Sequence, residues 1–368
     1  MNRTRTFLAL VVGASFLFAA CSTGTASQAP ETTDVRLQLQ WAPQAQFAGY
    51  FAAAAEGFYE DEGLNLTIVP GGPDVIPQVA GSAADGPEFT ISWVPKVLEA
   101  RVGNPPSDLV NIAQVFQRSG TLSVSWTDSN ITGPADFAGK KVGVWDFGNE
   151  FEVTAAARKE GLEAGTDFEK VIQPFDMTLL LSRDIDVAEA MIYNEYAQVL
   201  EAVNPETGEL YQPEDLNVID YNAEGTAMLQ DALFARKAWL EEEGNEDVAT
   251  RFLEASFRGW IFCRENPDKC VEYSIDQGTT LGAGHQAWQM NEVNPLIWPS
   301  PNGIGIMDQA LWDQTVAVST EAGIIPEAPP AEAFRTDLAE AALANITDVD
   351  TKGADFTKGS VEVTEGGN

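Results

Sequence analysis

The sequence predicts an α/β protein, and three observations lead there. Residues 37–69 read as strand, helix, strand. Strand and helix patterns then alternate along the chain without an internal repeat. A second strand–helix series begins at Ile131. Leu37-Gln38-Leu39-Gln40 alternates with period 2, Phe47 to Glu56 carries an apolar face at helical spacing, and Leu64 to Val69 returns to period 2. That order is a βαβ unit, which builds parallel sheet and places ligands beyond the carboxyl ends of the strands.

Taken from the start, Arg3 and Arg5 form a basic segment and Phe7 to Ala20 an apolar run too short to span a bilayer comfortably. Leu17-Phe18-Ala19-Ala20-Cys21 follows the bacterial lipobox pattern except at Phe18. We expect residues 1–20 to be a lipoprotein signal peptide, Cys21 the lipidation site and residues 21–33 a flexible linker, with ordinary cleavage near Ala20 as the alternative.

The first lobe opens with the βαβ unit. Phe89 to Trp93 reads as a strand, Pro95 to Arg101 as a helix, and Asn111 to Phe116 as a strand running into Gln117-Arg118-Ser119-Gly120. Leu122 to Trp126 is extended and is expected to cross between lobes. The second series has strands at Val142 to Trp145, Val171 to Pro174, Val187 to Ile192 and Asn217 to Tyr221. Helices start at Gly148-Asn149-Glu150 and at Met177. The return is expected near residues 222–229. Helices follow over 247–263, 269–278, 285–291, 308–322 and 332–344, and the acidic, apolar-poor segment 346–368 is expected to be disordered.

Aromatic and polar groups stand directly after strands: Trp41, Trp93, Gln117 with Ser119, Trp145, and Tyr193 with Asn194. A tryptophan is often mostly buried, so each indole alone is equally explained by core packing. Three indoles at three strand ends, each beside Gly, Pro or Ser, are less easily explained as core, and flat aromatic faces suit a planar heteroaromatic guest. Gly148, Asn149 and Glu150 open a helix whose N–H groups suit a polar or anionic ligand edge, or else cap that helix. Glu195 is a further carboxylate candidate, or a solvated surface acid. Arg118 is the one basic residue at a strand end and leaves an anionic ligand open.

The stretch Trp41-Ala42-Pro43, Glu56-Gly57-Phe58-Tyr59 and Glu62-Gly63-Leu64 resembles type II solute-binding proteins of ABC importers, in the branch that binds thiamine-pyrimidine precursors. The resemblance implies two α/β lobes joined by two crossovers, a hinged clamp with ligand in the cleft. The expected layout is lobe 1 over residues 34–124, lobe 2 over 125–223, and the return to lobe 1 with C-terminal helices over 224–345. It also implies a small heteroaromatic ligand (an aminopyrimidine or riboflavin), ABC permease subunits as partners, and a monomer held by a lipid anchor on the outer face of the cell membrane. No cofactor is expected.

The composition narrows the classes. Hydrophobic residues make up 44% of the chain, enough for a large core. A net charge of −35 repels nucleic acid and anionic lipid. His285 is the only histidine and has no matching ligand set, so no metal is expected. Cys263 and Cys270 would lie about 10 Å apart on an unbroken helix, but Asn266-Pro267 breaks it, and we expect a disulfide across that corner. No nucleophile elbow or phosphate loop is present, so no catalytic residue is assigned. The enzymatic rival is a pyrimidine synthase of the same fold, which uses a lysine and a histidine of its own. The lysine falls near Ser92 and the histidine near Lys96 here, so both are missing at the required places. Small sulfonates or nitrate are the other alternative, disfavoured by the few basic candidates.

Overall fold

The computed structural model describes residues 32–368. The expected signal peptide, Cys21 and all but the end of the linker lie outside the described residues.

Ten strands form two five-stranded mixed sheets among the described residues. The first holds β1 (Thr33–Gln38), β2 (Leu64–Val69), β3 (Phe89–Ser92), β4 (Leu109–Gln114) and β10 (Ala232–Arg236), in the order β2-β1-β3-β10-β4. The second holds β5 (Thr121–Trp126), β6 (Lys141–Val144), β7 (Glu169–Ile172), β8 (Val187–Met191) and β9 (Leu216–Asp220), in the order β7-β6-β8-β5-β9. In each sheet three parallel strands are followed by one antiparallel strand that has just arrived from the other lobe: β10 pairs antiparallel with β3 and β4, and β5 with β8 and β9. This is the two-lobed α/β architecture that the sequence predicts.

Two details differ from the sequence reading. All of β5 belongs to the second sheet, so the first crossover lies ahead of Thr121, and the boundary expected at residue 124 falls inside a strand. Strand β10 is absent from the sequence reading. All five of its residues are buried, so it lacks the alternation that marks a half-exposed strand.

The first sheet's core is closed by the long helix Asn245–Glu265, whose Phe252 stacks on Phe89 with centroids 3.8 Å apart. Its partner is the alanine-rich helix Ala48–Ala55. Close approach depends on Gly259 and Gly49. A Cβ on Gly259 would meet the Gly49 carbonyl oxygen at 2.0 Å, and one on Gly49 would meet the Trp260 ring at 2.2 Å. Small residues at this crossing let two backbones touch, which explains the run of alanines. At the far end the helix breaks at Asn266, and Cys263 and Cys270 form the disulfide, their Cα atoms 5.5 Å apart.

The segment 346–368 is a correction. It has almost no regular structure, yet it runs packed along the protein. Ser300 N–H donates to the Lys352 carbonyl, Ile304 N–H to Thr351 and Gly366 N–H to Glu201. Phe356 and Val363 pack on separate cores. Its low apolar content misleads because backbone hydrogen bonds and ion pairs such as Lys358–Glu292 and Arg258–Asp348 share the anchoring with two apolar contacts, which composition does not reveal. The Trp298–Gly305 loop lies under this segment, with Trp298 and Ile304 buried, and it packs the lobe rather than covering the cleft.

Candidate functional site

A cleft lies between the two sheets, where the parallel strands of both end. Trp41 follows β1 and Trp93 follows β3 from one side, while Trp145 follows β6 and Tyr193 follows β8 from the other. All four line the cleft. Phe175, in the loop after β7, completes the wall: its ring is 4.4 Å from that of Trp41 across the cleft and lies near-parallel to Trp145 at 6.1 Å. An aromatic lining with a few polar groups suits a small organic solute. Trp93 and Trp145 are 4% and 3% exposed and also belong to the main core, so packing and lining are both true of them. Trp41 is half-buried. At the mouth, Phe147 holds a positive φ of 67° beside Gly148 at 86°, and its ring is largely exposed. A bulky residue in the left-handed region is strained, and such strain collects at functional loops.

The polar groups form a connected set. Asp231, just before β10, accepts hydrogen bonds from Trp93 Nε1 at 2.8 Å and from Gln46 Nε2 at 2.8 Å. Gln46 accepts from Gln44, and Gln289 donates to both Gln44 and Asn194. Asn194 is also bonded to His285 Nε2, and His285 Nδ1 to Glu201. Amide side chains therefore run from Asp231 on the first sheet to Asn194 on the second, through helix Ala283–Ile297. Burial pushes the Asp231 carboxyl up to about 6, against the bonds from Gln46 and Trp93 that favour its ionised form. Burial likewise raises Glu195 to about 7, although Met191 N–H and Asn194 Nδ2 donate to it.

Lys96, on helix Val94–Arg101, is 5% exposed. Its ammonium donates to Asn149 Oδ1 at 2.6 Å and sits 4.3 Å from the Trp93 ring centre. Burial lowers its pKa to about 8, offset in part by Asp231, Glu189 and Glu150. With Asn149 after β6 and Lys96 after β3, this bond closes across the cleft.

Of the residues singled out from sequence, Trp41, Trp93, Trp145, Asn149, Tyr193, Asn194 and Glu195 come together on this lining. Gln117 and Ser119 do not, because β4 is an edge strand and its end points to the crossovers. Gln117 Nε2 donates to the Gln114 carbonyl, and Ser119 Oγ donates to Glu152 at 2.7 Å. Arg118 is spent on the carbonyls of Pro295 and Pro299. Gly148 supplies the turn, its N–H donating to Glu150, whose carboxylate faces Lys170 at 3.7 Å. That pair shapes the turn ahead of helix Phe151–Lys159, which has no side-chain cap, and neither residue is on the lining. His285 is buried behind the wall. Sequence reasoning misses Lys96, Asp231, Gln46, Phe147 and Phe175. Of these only Phe175, one residue beyond the strand read at Val171 to Pro174, carries a usable signal.

Comparison with known proteins bears on the fold and the family. A formylaminopyrimidine-binding protein of Halalkalibacterium halodurans is 27% identical over 321 residues, covering 84% of this chain and 91% of that protein. The riboflavin-binding protein RibY of Chloroflexus aurantiacus is 25% identical over 305 residues, covering 80% and 83%. Among solved structures, the periplasmic aliphatic sulphonate binding protein SsuA of Escherichia coli superposes with a TM-score of 0.57 at 17% identity, over 82% of this chain and 90% of that one. The desulfurization enzyme DSZB does so at 0.56 and 14%, over 85% and 99%. At those identities the likeness is one of fold. Residues 44–270 match the family described as NMT1/THI5 like, and the chain belongs to that family.

Proposed function

We propose that this protein is the extracytoplasmic substrate-binding component of an ABC importer, which captures a vitamin-type heteroaromatic solute between its lobes and delivers it to the permease. One observation carries the reading: aromatic side chains from strand ends of both sheets line a single cleft, with hydrogen-bonding amides behind them. Stacking supplies affinity and the polar groups set orientation. The names of the two relatives support an aminopyrimidine or a flavin as the ligand class. The signals around Cys21 support a lipid anchor on the outer face of the membrane, with the acidic chain kept in solution as a monomer.

The enzymatic alternative has two facts on its side: the fold is shared with DSZB, and a lysine of lowered pKa stands in the cleft. Against it, His285 is engaged by Glu201 and Asn194 behind the wall. A sulfonate or nitrate reading rests on that same Lys96 and must accommodate an otherwise aromatic lining.

The test is a tryptophan-fluorescence titration of the purified protein with riboflavin and with 4-amino-5-hydroxymethyl-2-methylpyrimidine. Saturable quenching by either supports the proposal. Quenching by taurine or nitrate alone overturns it.

A further inference from the structure

We propose that Lys96 is the specificity-determining residue of the cleft, and that it selects a flat heterocycle bearing a ring carbonyl or imide oxygen, of pyrimidinedione or isoalloxazine type, over an aminopyrimidine. This rests on the heteroaromatic-binding reading above and deepens it.

An ammonium carries three N–H donors. Among the described residues, Lys96 Nζ makes one hydrogen bond, to Asn149 Oδ1, and lies over the Trp93 ring. The carboxylates that face it bond to other groups, although one oxygen of Glu189 has no partner. Asp231 is held by Trp93 and Gln46, Glu189 accepts from Trp145 N–H, and Glu150 accepts from Gly148 N–H and faces Lys170. Glu195, the carboxylate on the lining itself, is taken by Met191 N–H and Asn194, and burial keeps the Tyr193 phenol beside it neutral. Asp231 and Glu150 favour the charged ammonium without using up its donors.

A buried cation with unmatched donors is costly, so a ligand that brings an acceptor gains most by placing it there. A ring carbonyl is a strong, exposed acceptor. An exocyclic amino group set against Lys96 opposes donor to donor, and a basic pyrimidine that takes up a proton becomes a like charge; both discriminate against that guest. The same lining holds buried carbonyl oxygens of Gln40 and Gln78 without partners. Acceptors and a cationic donor on one lining supply the two functions that an imide edge, N–H next to C=O, needs.

The experiment measures Kd for riboflavin, lumichrome and 4-amino-5-hydroxymethyl-2-methylpyrimidine with wild type, K96M and K96Q, alongside Tm. We expect wild type to favour the two flavin rings, K96M to lose at least about 30-fold for them, and K96Q, which keeps a donor without charge, to fall between. If K96M is poorly folded, K96Q alone decides, with a loss of at least about fivefold for the flavins expected. Flavin affinity changed less than about threefold in a folded variant, or tighter wild-type binding of the aminopyrimidine, overturns the role of Lys96 while leaving a heteroaromatic binder. No binding of any of the three overturns both that role and the parent reading.

Discussion

The three cleft indoles are not equivalent, and their surroundings say what each does. Trp41 is half-buried and touches Phe175 across the cleft, whereas Trp93 is part of the core and is tied to Asp231. Trp41→Ala should therefore weaken ligand binding tenfold or more, about 1.4 kcal/mol, with little change in Tm. Trp93→Ala should cost binding and also roughly 3 kcal/mol of stability. Equal Tm losses in the two variants would return Trp41 to the core. Lys96 supplies a pH test: its pKa near 8 means the ammonium is charged below that value and lost above it. Flavin affinity should then fall as pH rises from 7 to 9 in wild type, and the fall should disappear in K96M. The indoles are legible because position after a strand is a sequence property. Asp231 and Lys96 are not. Asp231 gains its role from a strand that hides its pattern, and Lys96 sits inside a helix, where nothing in the local pattern says that its ammonium reaches the cleft.

At the scale of elements, the two crossovers are bonded to each other and to one carboxylate. Asn222 exchanges hydrogen bonds with the backbone of Ser119, and Gln230 Oε1 accepts from Gly120 N–H. Glu152, on helix Phe151–Lys159, receives Ser119 Oγ from the first crossover and Met228 N–H and Gln230 Nε2 from the second. Burial raises its pKa to about 8 despite those bonds. Its pKa in the unfolded chain is about 4.3. The folded state therefore holds the proton more tightly, and the stability this contributes is full below about pH 4 and lost as pH rises toward 8. Glu152→Gln keeps the shape and never ionises, so its Tm should lie nearest wild type at pH 4 and exceed it by a growing margin up to pH 8.5. A Tm difference that does not grow with pH would show that Glu152 ionises freely in the fold. Sequence places the first crossover on Leu122 to Trp126, a strand that lies wholly in the second sheet, and the return near residues 222–229, between β9 and β10. It cannot show that Ser119 faces a carboxylate rather than a ligand, because that depends on β4 lying at the sheet edge.

For the whole molecule, charge outweighs every other surface property. Lys and Arg number 21 against 56 Asp and Glu. The ion pairs that do form are mostly exposed, such as Arg183–Asp128 and Lys269–Glu272, and each is worth little. Most acids therefore face other acids through solvent, and compaction brings them closer than in the unfolded chain, which costs stability. The Debye length falls from about 30 Å at 0.01 M salt to about 3 Å at 1 M, shorter than most spacings between surface carboxylates. Tm should thus rise by several degrees between 10 mM and 1 M NaCl, most steeply at the low end where screening first sets in. An equal concentration of sucrose separates screening from solvent exclusion, since it strengthens burial without screening. Ligand binding should respond differently, because the cleft groups are buried and screened far less, so flavin affinity should change only modestly over the same range. A Tm that stays flat or falls with NaCl would mean that the acidic surface is already balanced within the fold, and that its excess charge serves solubility alone.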